Sequence, residues 1–196
     1  MIDVHCHLVD NKFKDDLEDV INHAHSAGIK NIINVPEFES QFEKSIEISR
    51  KWRGIVYTGI GIHPIQKRGK SAQMKHVAKM EQFFVEHEND IICVGECGLD
   101  HTTSQFKLTE ADLEEQERVF NTENRKKGDF QTAEIIKSIP ITRLLLETDS
   151  PALGPEKGVK NVPLNLRISA EFLSRILKVS VDEVISTTTA NANMVF

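Results

Sequence analysis

The feature that most constrains this chain is a regular alternation of strand and helix patterns that continues to about residue 120. Apolar segments of strand length are predicted at 2–6, 29–35, 55–62 and 91–97, and the segments between them carry apolar residues at helical spacing. Each predicted strand is almost continuously apolar, as expected when both faces of a sheet are covered. The pattern predicts a parallel α/β fold, either a doubly wound sheet or a barrel.

This alternation then breaks. Residues 121–132 are polar except for Phe130, and one further strand is predicted at 143–147, in RLLLETD. A loop rich in Pro and Gly and two helices follow, the second opened by the capping pair Ser180 and Glu183. The sequence thus predicts one domain over residues 1–196 with five strands, whereas a complete β/α barrel has eight strands and typically about 250 residues.

Charge and cysteine content exclude several classes of protein. The net charge of −6 argues against a protein that coats nucleic acid with a general basic surface, but not against an enzyme that contacts phosphates through metal ions and a few local cations. There is no apolar run of membrane-spanning length and no signal-peptide pattern, so we expect no membrane association. Three cysteines cannot all pair, which favours reduced thiols and a cytoplasmic or nuclear location. Nothing in the sequence indicates an obligate protein partner.

The first candidate for chemistry is the pair His5 and His7, in DVHCH. Residues two apart in a strand point to the same face, so the two imidazoles can converge on one metal ion. Two histidines satisfied by ordinary hydrogen bonds would produce the same pattern, and the pair alone does not decide between these interpretations.

Three other predicted strands deliver polar residues near their ends. These are His63 in GIHP, Glu96 in GECGLD and Asp149 in LLETDSP. Taken singly, Glu96 is equally a helix cap or a salt-bridge partner, and His63 a polar residue at a strand boundary. Glu147 has the same strand parity as Asp149 and is a candidate partner for a histidine or a ligand.

The position of these residues is more informative than their identity. Four separate strands each carry a His, Glu or Asp at the C-terminal end, where barrel and open-sheet enzymes build their sites. The sequence therefore predicts a divalent metal site of His5, His7, Glu96 and Asp149. Mixed imidazole and carboxylate ligands suit Zn or Mn, and Mg less strongly, and are typical of two-metal hydrolases.

The segments DVHCHL, GIHP, GECGLD and LLETDSPALGP together resemble the four signature segments of the TatD family of metal-dependent deoxyribonucleases. The resemblance covers residues 1–120 and 133–196. It implies a TIM-barrel-like (β/α) hydrolase fold, two divalent metal ions (Zn, Mg or Mn), and hydrolysis of the phosphodiester bonds of DNA, often from the 3′ end.

The same resemblance implies roles for individual residues. His5 and His7 would bind the first metal, and Glu96 would bridge both metals. Asp149 would bind the first metal and orient or deprotonate a water molecule, and His63 would lie near the substrate phosphate. Asp149 and His63 are therefore the expected catalytic residues.

The chain also departs from the family pattern. Family members carry two further metal-binding histidines at strand ends between the GECGLD and ETD segments, and here that interval contains only His101. Residues 121–132 form a junction in place of three strands and their helices. We therefore expect an incomplete barrel from an internal deletion, with one metal retained and impaired nuclease activity. A catalytically inactive variant and an amidohydrolase acting on C–N or ester bonds are the alternatives.

Two basic loops follow candidate site residues. Lys67, Arg68 and Lys70 come after His63, and Lys157 and Lys160 come after Asp149. Contacts with phosphates and ordinary solvation of the loops are both compatible with this placement.

Overall fold

The computed structural model describes residues 1–100, 106–123 and 139–196, and its centre is a parallel sheet of four strands. These strands are β1 (Ile2–Cys6), β2 (Asn31–Asn34), β3 (Val56–Ile60) and β6 (Ile91–Val94), and they lie side by side in the order β1–β2–β3–β6. Successive neighbours are parallel, so their C-terminal ends meet along one edge. The predicted parallel α/β architecture is confirmed.

Six helices flank the described sheet. They are α1 (Leu17–Ser26), α2 (Phe42–Lys51), α3 (Met74–Glu86), α4 (Glu110–Glu123), α5 (Leu166–Leu177) and α6 (Val181–Val195). The predicted capping pair is confirmed at α6, where the Glu183 amide donates to the Ser180 hydroxyl at 3.1 Å. No helix in the described ranges is both long enough and apolar enough to cross a membrane.

Two apolar clusters cover the sheet. The larger joins β1 and β2 to α1, α5 and α6 through buried side chains such as Phe13, Ile21 and Leu166. The smaller joins the end of β3 to α2, α3 and α4, with Phe42 and Val119 among its buried members. These clusters cover β1, β2 and most of β3, as their apolar sequences predict, whereas β6 has no buried residue.

The predicted fifth strand is not a regular strand, so that prediction is wrong in detail. A short 3-10 helix, Ile141–Arg143, occupies its start. Residues 144–150 are nevertheless held along β1: the Val4 amide donates to the Leu146 carbonyl at 3.1 Å, and the Asp149 amide donates to the His5 carbonyl at 3.0 Å. A single parallel bridge joins Cys6 to Ser150. We call residues 144–150 the docking segment.

The sheet contains shorter strands than the sequence predicts, and an additional two-stranded ribbon. The strands predicted at 55–62 and 91–97 end at Ile60 and Val94, so His63 and Glu96 lie in the loops that follow. After His63 the chain forms an antiparallel ribbon, β4 (Ile65–Gln66) and β5 (Lys70–Ser71). Strands of two residues are too short to show apolar periodicity, so sequence patterning does not predict them.

Within the described ranges the sheet stays open, because nothing pairs with the outer edge of β6 or with the outer edge of the docking segment. Of the junction predicted at 121–132, residues 121–123 complete α4, and the remainder lies outside the described residues, as does His101. Open strand edges present unpaired amide and carbonyl groups to other chains.

The open edge yields a prediction for Val94, which lies at the end of β6 and is 51% exposed. Val94→Lys is expected to reduce self-association, because a charge on an edge strand disfavours pairing with another chain. The measurement is light scattering during refolding at increasing protein concentration. Val85→Lys on α3 is the control, since Val85 is 79% exposed but lies on a helix. Equal suppression by both variants would contradict the edge assignment.

Candidate metal centre

β1 positions the two histidines as the strand parity predicts. Their Nε2 atoms lie 3.3 Å apart, and the rings meet nearly edge to face. His7 is buried and His5 is partly buried. Two imidazole nitrogens at this separation can be bridged by at most one proton, or both can bind a common cation.

The docking segment brings Asp149 to the same point. Its Oδ1 atom lies 3.1 Å from His7 Nε2 and 3.7 Å from His5 Nε2. The residue has a φ of 56°, a left-handed conformation that aspartate adopts more readily than most non-glycine residues. The two hydrogen bonds from Asp149 N to the His5 carbonyl and from His7 N to the Ser150 carbonyl fix the backbone on both sides of the site.

Glu96 approaches from the loop after β6. Its Oε2 atom lies 3.2 Å from His5 Nε2 and 3.7 Å from His7 Nε2. That oxygen is buried and accepts no hydrogen bond from any described residue. A buried carboxylate oxygen without a donor is costly unless a cation lies beside it. The structure thus places Glu96 with the other three predicted ligands.

The tautomer of His7 is set by the backbone. Its Nδ1 lies 2.6 Å from the Val35 carbonyl oxygen, which can only accept, so Nδ1 carries the proton. Nε2 of the neutral ring then presents its lone pair toward the Asp149 carboxylate. Two electron-rich atoms at 3.1 Å repel one another unless a proton or a metal cation lies between them. This contact therefore fits a metal-binding imidazole.

The pKa values of the cluster agree with an electron-rich site. Burial disfavours the charged form of His7, but hydrogen bonds with Asp149 and the Val35 carbonyl outweigh it and raise the pKa to about 9. For His5, burial is likewise outweighed by Glu96, and the pKa is raised. Burial acts to raise the pKa of Glu96, but the neighbouring histidines lower it overall. The four groups thus attract positive charge.

The donor set fits one divalent cation. Ligand atoms of His5, His7 and Asp149 all lie within 4.8 Å of one another, and Glu96 adds the orphaned oxygen. Two imidazoles and two carboxylates suit Zn or Mn better than Ca. His63 contacts the rim of this cluster, with Nε2 3.6 Å from Glu96 Oε1. Among the described residues, no other histidine contacts these side chains.

A cavity of about 300 Å³ opens onto the centre, and His7, His63, Glu96 and Asp149 contribute to its lining. It gives small molecules access to the ligand atoms. Lys160 does not point freely into this region, because its Nζ pairs with the Asp16 carboxylate at 2.6 Å. Glu147, predicted as a partner for a ligand, is exposed, and no hydrogen bond joins it to the cluster within the described residues.

Sequence reasoning missed the buried network that holds the docking segment in place. Asp3 is fully buried and accepts hydrogen bonds from the Thr148 amide at 3.0 Å and from the Thr148 hydroxyl at 2.6 Å. Thr148 Oγ1 also lies 2.9 Å from Ser150 Oγ, which lies 3.0 Å from Cys6 Sγ. Burial raises the pKa of Asp3 to about 7, against the opposing effect of the Thr148 hydrogen bonds. The available signal was a lone carboxylate in an otherwise apolar strand.

Comparison with known proteins assigns the chain to a known family. The family model described as TatD related DNase matches residues 2–125 and 122–196. A tatdn3 protein of Danio rerio is 30% identical over 257 residues, with 100% of this chain and 96% of that protein covered. The human deoxyribonuclease TATDN3 is 29% identical over 259 residues, covering 100% and 94%. Both alignments are longer than the 196 residues of this chain, so each relative contains residues that have no counterpart here.

A solved structure shows the same fold. The TatD homologue YJJV of Escherichia coli K12 superimposes with a TM-score of 0.78 at 20% identity, covering 100% of this chain and 97% of the other. Fold and site thus define an α/β protein of the TIM-barrel-like hydrolase type, with candidate metal ligands at the C-terminal edge of its sheet. The chain belongs to the TatD family, as its signature segments predict.

The buried network gives a stability prediction. Asp3→Ala removes the acceptor of two buried Thr148 donors, and the free energy of unfolding should fall by about 2–4 kcal/mol. Urea unfolding measures it. Asp182→Ala, at an exposed position in α6, is the matched control and should change stability by less than about 0.5 kcal/mol. A similar, small loss in both variants would show that Asp3 does not hold the docking segment.

The raised histidine pKa values give a pH prediction. Because the metal-free cluster retains protons up to about pH 9 at His7, a cation must displace them, and binding should tighten by about tenfold per pH unit for each proton released. Titration calorimetry with Mn²⁺ in two buffers of different ionisation enthalpy counts those protons between pH 6 and 8. Asp149→Asn removes the partner that raises the His7 pKa and should release fewer. Binding without proton release would contradict this linkage.

Proposed function

We propose that this chain is a divalent-metal-dependent hydrolase that cleaves DNA phosphodiester bonds. The observation that carries the proposal is the convergence of His5, His7, Glu96 and Asp149 at the C-terminal edge of the sheet, with Nε2 and carboxylate oxygen atoms 3.1–3.7 Å apart. Membership of the family and similarity to the human deoxyribonuclease TATDN3 support DNA as the substrate.

His5, His7, Glu96 and Asp149 would hold the cation in this proposal. When bound, a divalent cation lowers the pKa of a water molecule and stabilises charge on an attacked phosphoryl oxygen. Asp149 has a second carboxylate oxygen, besides the one facing His7, that can accept a hydrogen bond from the attacking water and orient it. Asp149 is thereby a ligand and the candidate general base.

His63 is proposed to contact the substrate phosphate. Its ring borders the cavity, and its Nδ1 lies 2.9 Å from the Ile65 carbonyl and 3.0 Å from the Ile65 amide, which fixes the ring orientation. Nε2 therefore faces the space beside Glu96. When Nδ1 accepts from the Ile65 amide, Nε2 carries the ring proton and can donate a hydrogen bond to a phosphate oxygen.

The proposal includes one retained metal and reduced activity. The family model matches in two parts that meet at residues 122–125, and the relatives' alignments are longer than this chain, which supports an internal deletion at the predicted junction. The histidines expected for a second metal would lie in the deleted part. With only His5, His7, Glu96 and Asp149 retained, the chain would lack the residues that place a second cation beside the leaving oxygen, so reduced activity is expected.

Cleavage in the 3′-to-5′ direction and a cytoplasmic or nuclear location complete the proposal. The first follows from the family resemblance, and the second from an odd number of cysteines, which cannot all pair. Cys6 and Cys93 form no disulfide in the described part of the chain, which supports a reducing compartment.

A catalytically inactive variant is the second candidate, and the open sheet favours it. The outer edge of β6 lacks a partner strand within the described part of the chain, so the structure is less constrained than a closed barrel. Loosely held ligands reduce catalysis even when all four are present.

The decisive experiment is cleavage of a 5′-labelled single-stranded oligonucleotide with Mg²⁺, Mn²⁺ or Zn²⁺ present in turn. Asp149→Asn is expected to lower kcat/KM by about a hundredfold or more, because it removes a ligand and the candidate base. His63→Gln should lower it less, and a ladder of products shortened from the 3′ end is expected.

Asp182→Asn lies in α6, outside the candidate site, and controls for differences between protein preparations. It should cleave DNA at the wild-type rate. Equal residual rates for the wild type and Asp149→Asn would contradict the nuclease proposal and favour the inactive variant. Hydrolysis of a lactone or cyclic amide with no cleavage of DNA would instead indicate an amidohydrolase.

A further inference from the structure

Beside the metal centre lies a groove of about 790 Å³ with five basic side chains in its lining. The β4–β5 ribbon supplies Lys67, Arg68 and Lys70, the first turn of α3 supplies Lys75, and the loop before α4 supplies Lys107. All five residues are exposed. We call this feature the basic groove.

The cations of the basic groove are available to a ligand. Within the described residues, none of the five forms an ion pair with a carboxylate. The two carboxylates that line the groove have other partners: Glu39 pairs with Lys79 at 2.8 Å, and Asp112 accepts from the Thr109 hydroxyl at 2.7 Å. The chain as a whole carries a net charge of −6, so this concentration of positive charge is local. It indicates an anionic ligand.

The groove adjoins the cavity at the metal centre, although the two share no lining residue. His63 and Glu37 line the cavity, and Gln66 and Phe38 line the basic groove. Gln66 lies at the boundary: its side-chain amide donates to the His63 carbonyl at 2.8 Å and to the Glu37 carbonyl at 3.4 Å. A strand that passes over Gln66 would therefore run from the metal centre into the groove.

Aromatic side chains in the groove point to unpaired bases. The Phe38 ring lies 5.7 Å from Lys67 Nζ, and Phe106 packs over Gly69, where an added Cβ would lie 3.3 Å from the ring. Both phenylalanines are partly exposed. Basic side chains interleaved with aromatic rings are typical of surfaces that bind single strands, because each base can stack on a ring while phosphates contact the cations.

We propose that the basic groove binds the backbone of a single-stranded nucleic acid whose end lies at the metal centre. Lys67, Arg68 and Lys70 contact successive phosphates, and Phe38 stacks on a base. This inference rests on the proposed function for the position of the strand end, but strand binding itself requires neither metal nor cleavage. The two can therefore be tested separately.

The test measures binding of fluorescein-labelled oligodeoxythymidylate by anisotropy in EDTA, where cleavage cannot contribute. The variant is K67Q/R68Q/K70Q. Each phosphate contact of a single strand adds about 0.7 to the slope of log K against log salt concentration, so the slope should fall by about 2 and the affinity by about tenfold or more. Phe38→Leu should weaken binding about tenfold at an unchanged slope.

The matched control is K30Q/K51Q/R53Q, which removes the same charge from exposed residues just before β2 and β3, at the opposite edge of the sheet. It should retain the wild-type slope. Equal slopes for both triple variants would overturn the groove assignment, as would equal affinity for a duplex of the same length. Loss of binding in the groove variant alone supports the groove assignment, even where no DNA is cleaved. If the groove variant keeps the wild-type salt slope while the wild type cleaves DNA, the groove assignment is wrong and the proposed function stands.

Discussion

The attachment of the docking segment to β1 is the interaction on which the site depends. Asp149 lies 142 positions beyond His7 along the chain, yet its carboxylate must meet two imidazoles within 4 Å. Backbone hydrogen bonds at His5 and His7 set the distance between Asp149 and the two imidazoles. The buried Asp3–Thr148–Ser150 network sets the orientation of the docking segment beside β1. Hydrogen bonds to a buried carboxylate are among the stronger ones in proteins, and a missing partner there is costly. Groups that do not face the cavity thus keep the candidate ligands aligned.

The same geometry explains why the site tolerates an incomplete barrel. All four candidate ligands come from β1, from the docking segment beside it, and from the loop after β6, and these lie within one continuous sheet. In a closed barrel, further strands would pair with the free edges of β6 and of the docking segment. A cation bound by four side chains from three segments would also act as a cross-link, since any ligand that binds only the native arrangement stabilises it. Metal binding would therefore be coupled to the integrity of the open sheet.

The fold and the site could be predicted to different depths. The apolar segments predict β1, β2, β3 and β6. Strand parity and the shared C-terminal edge predict that four candidate ligands from distant segments lie close together. A regular strand at 143–147 and the irregular docking segment would have the same apolar sequence, so patterning cannot distinguish them. Regular pairing ends at the 3-10 helix before the segment and at Asp149, which has a left-handed backbone conformation. The β4–β5 ribbon is too short for a periodic signal. The role of Asp3 cannot be predicted, because hydrophobic patterning does not show which buried carboxylate accepts hydrogen bonds.

The most direct measurement is X-ray absorption at the zinc edge on the chain loaded with one equivalent of Zn²⁺. A common ion on His5, His7, Glu96 and Asp149 predicts a shell of nitrogen and oxygen atoms only, at about 2.0–2.2 Å, including about two imidazoles, and the loss of one light ligand in Asp149→Ala. The chain also contains three cysteines, Cys6, Cys93 and Cys97, whose sulfur atoms are alternative zinc ligands. A sulfur ligand at about 2.3 Å, or a shell unchanged by Asp149→Ala, would contradict a common ion held by His5, His7, Glu96 and Asp149.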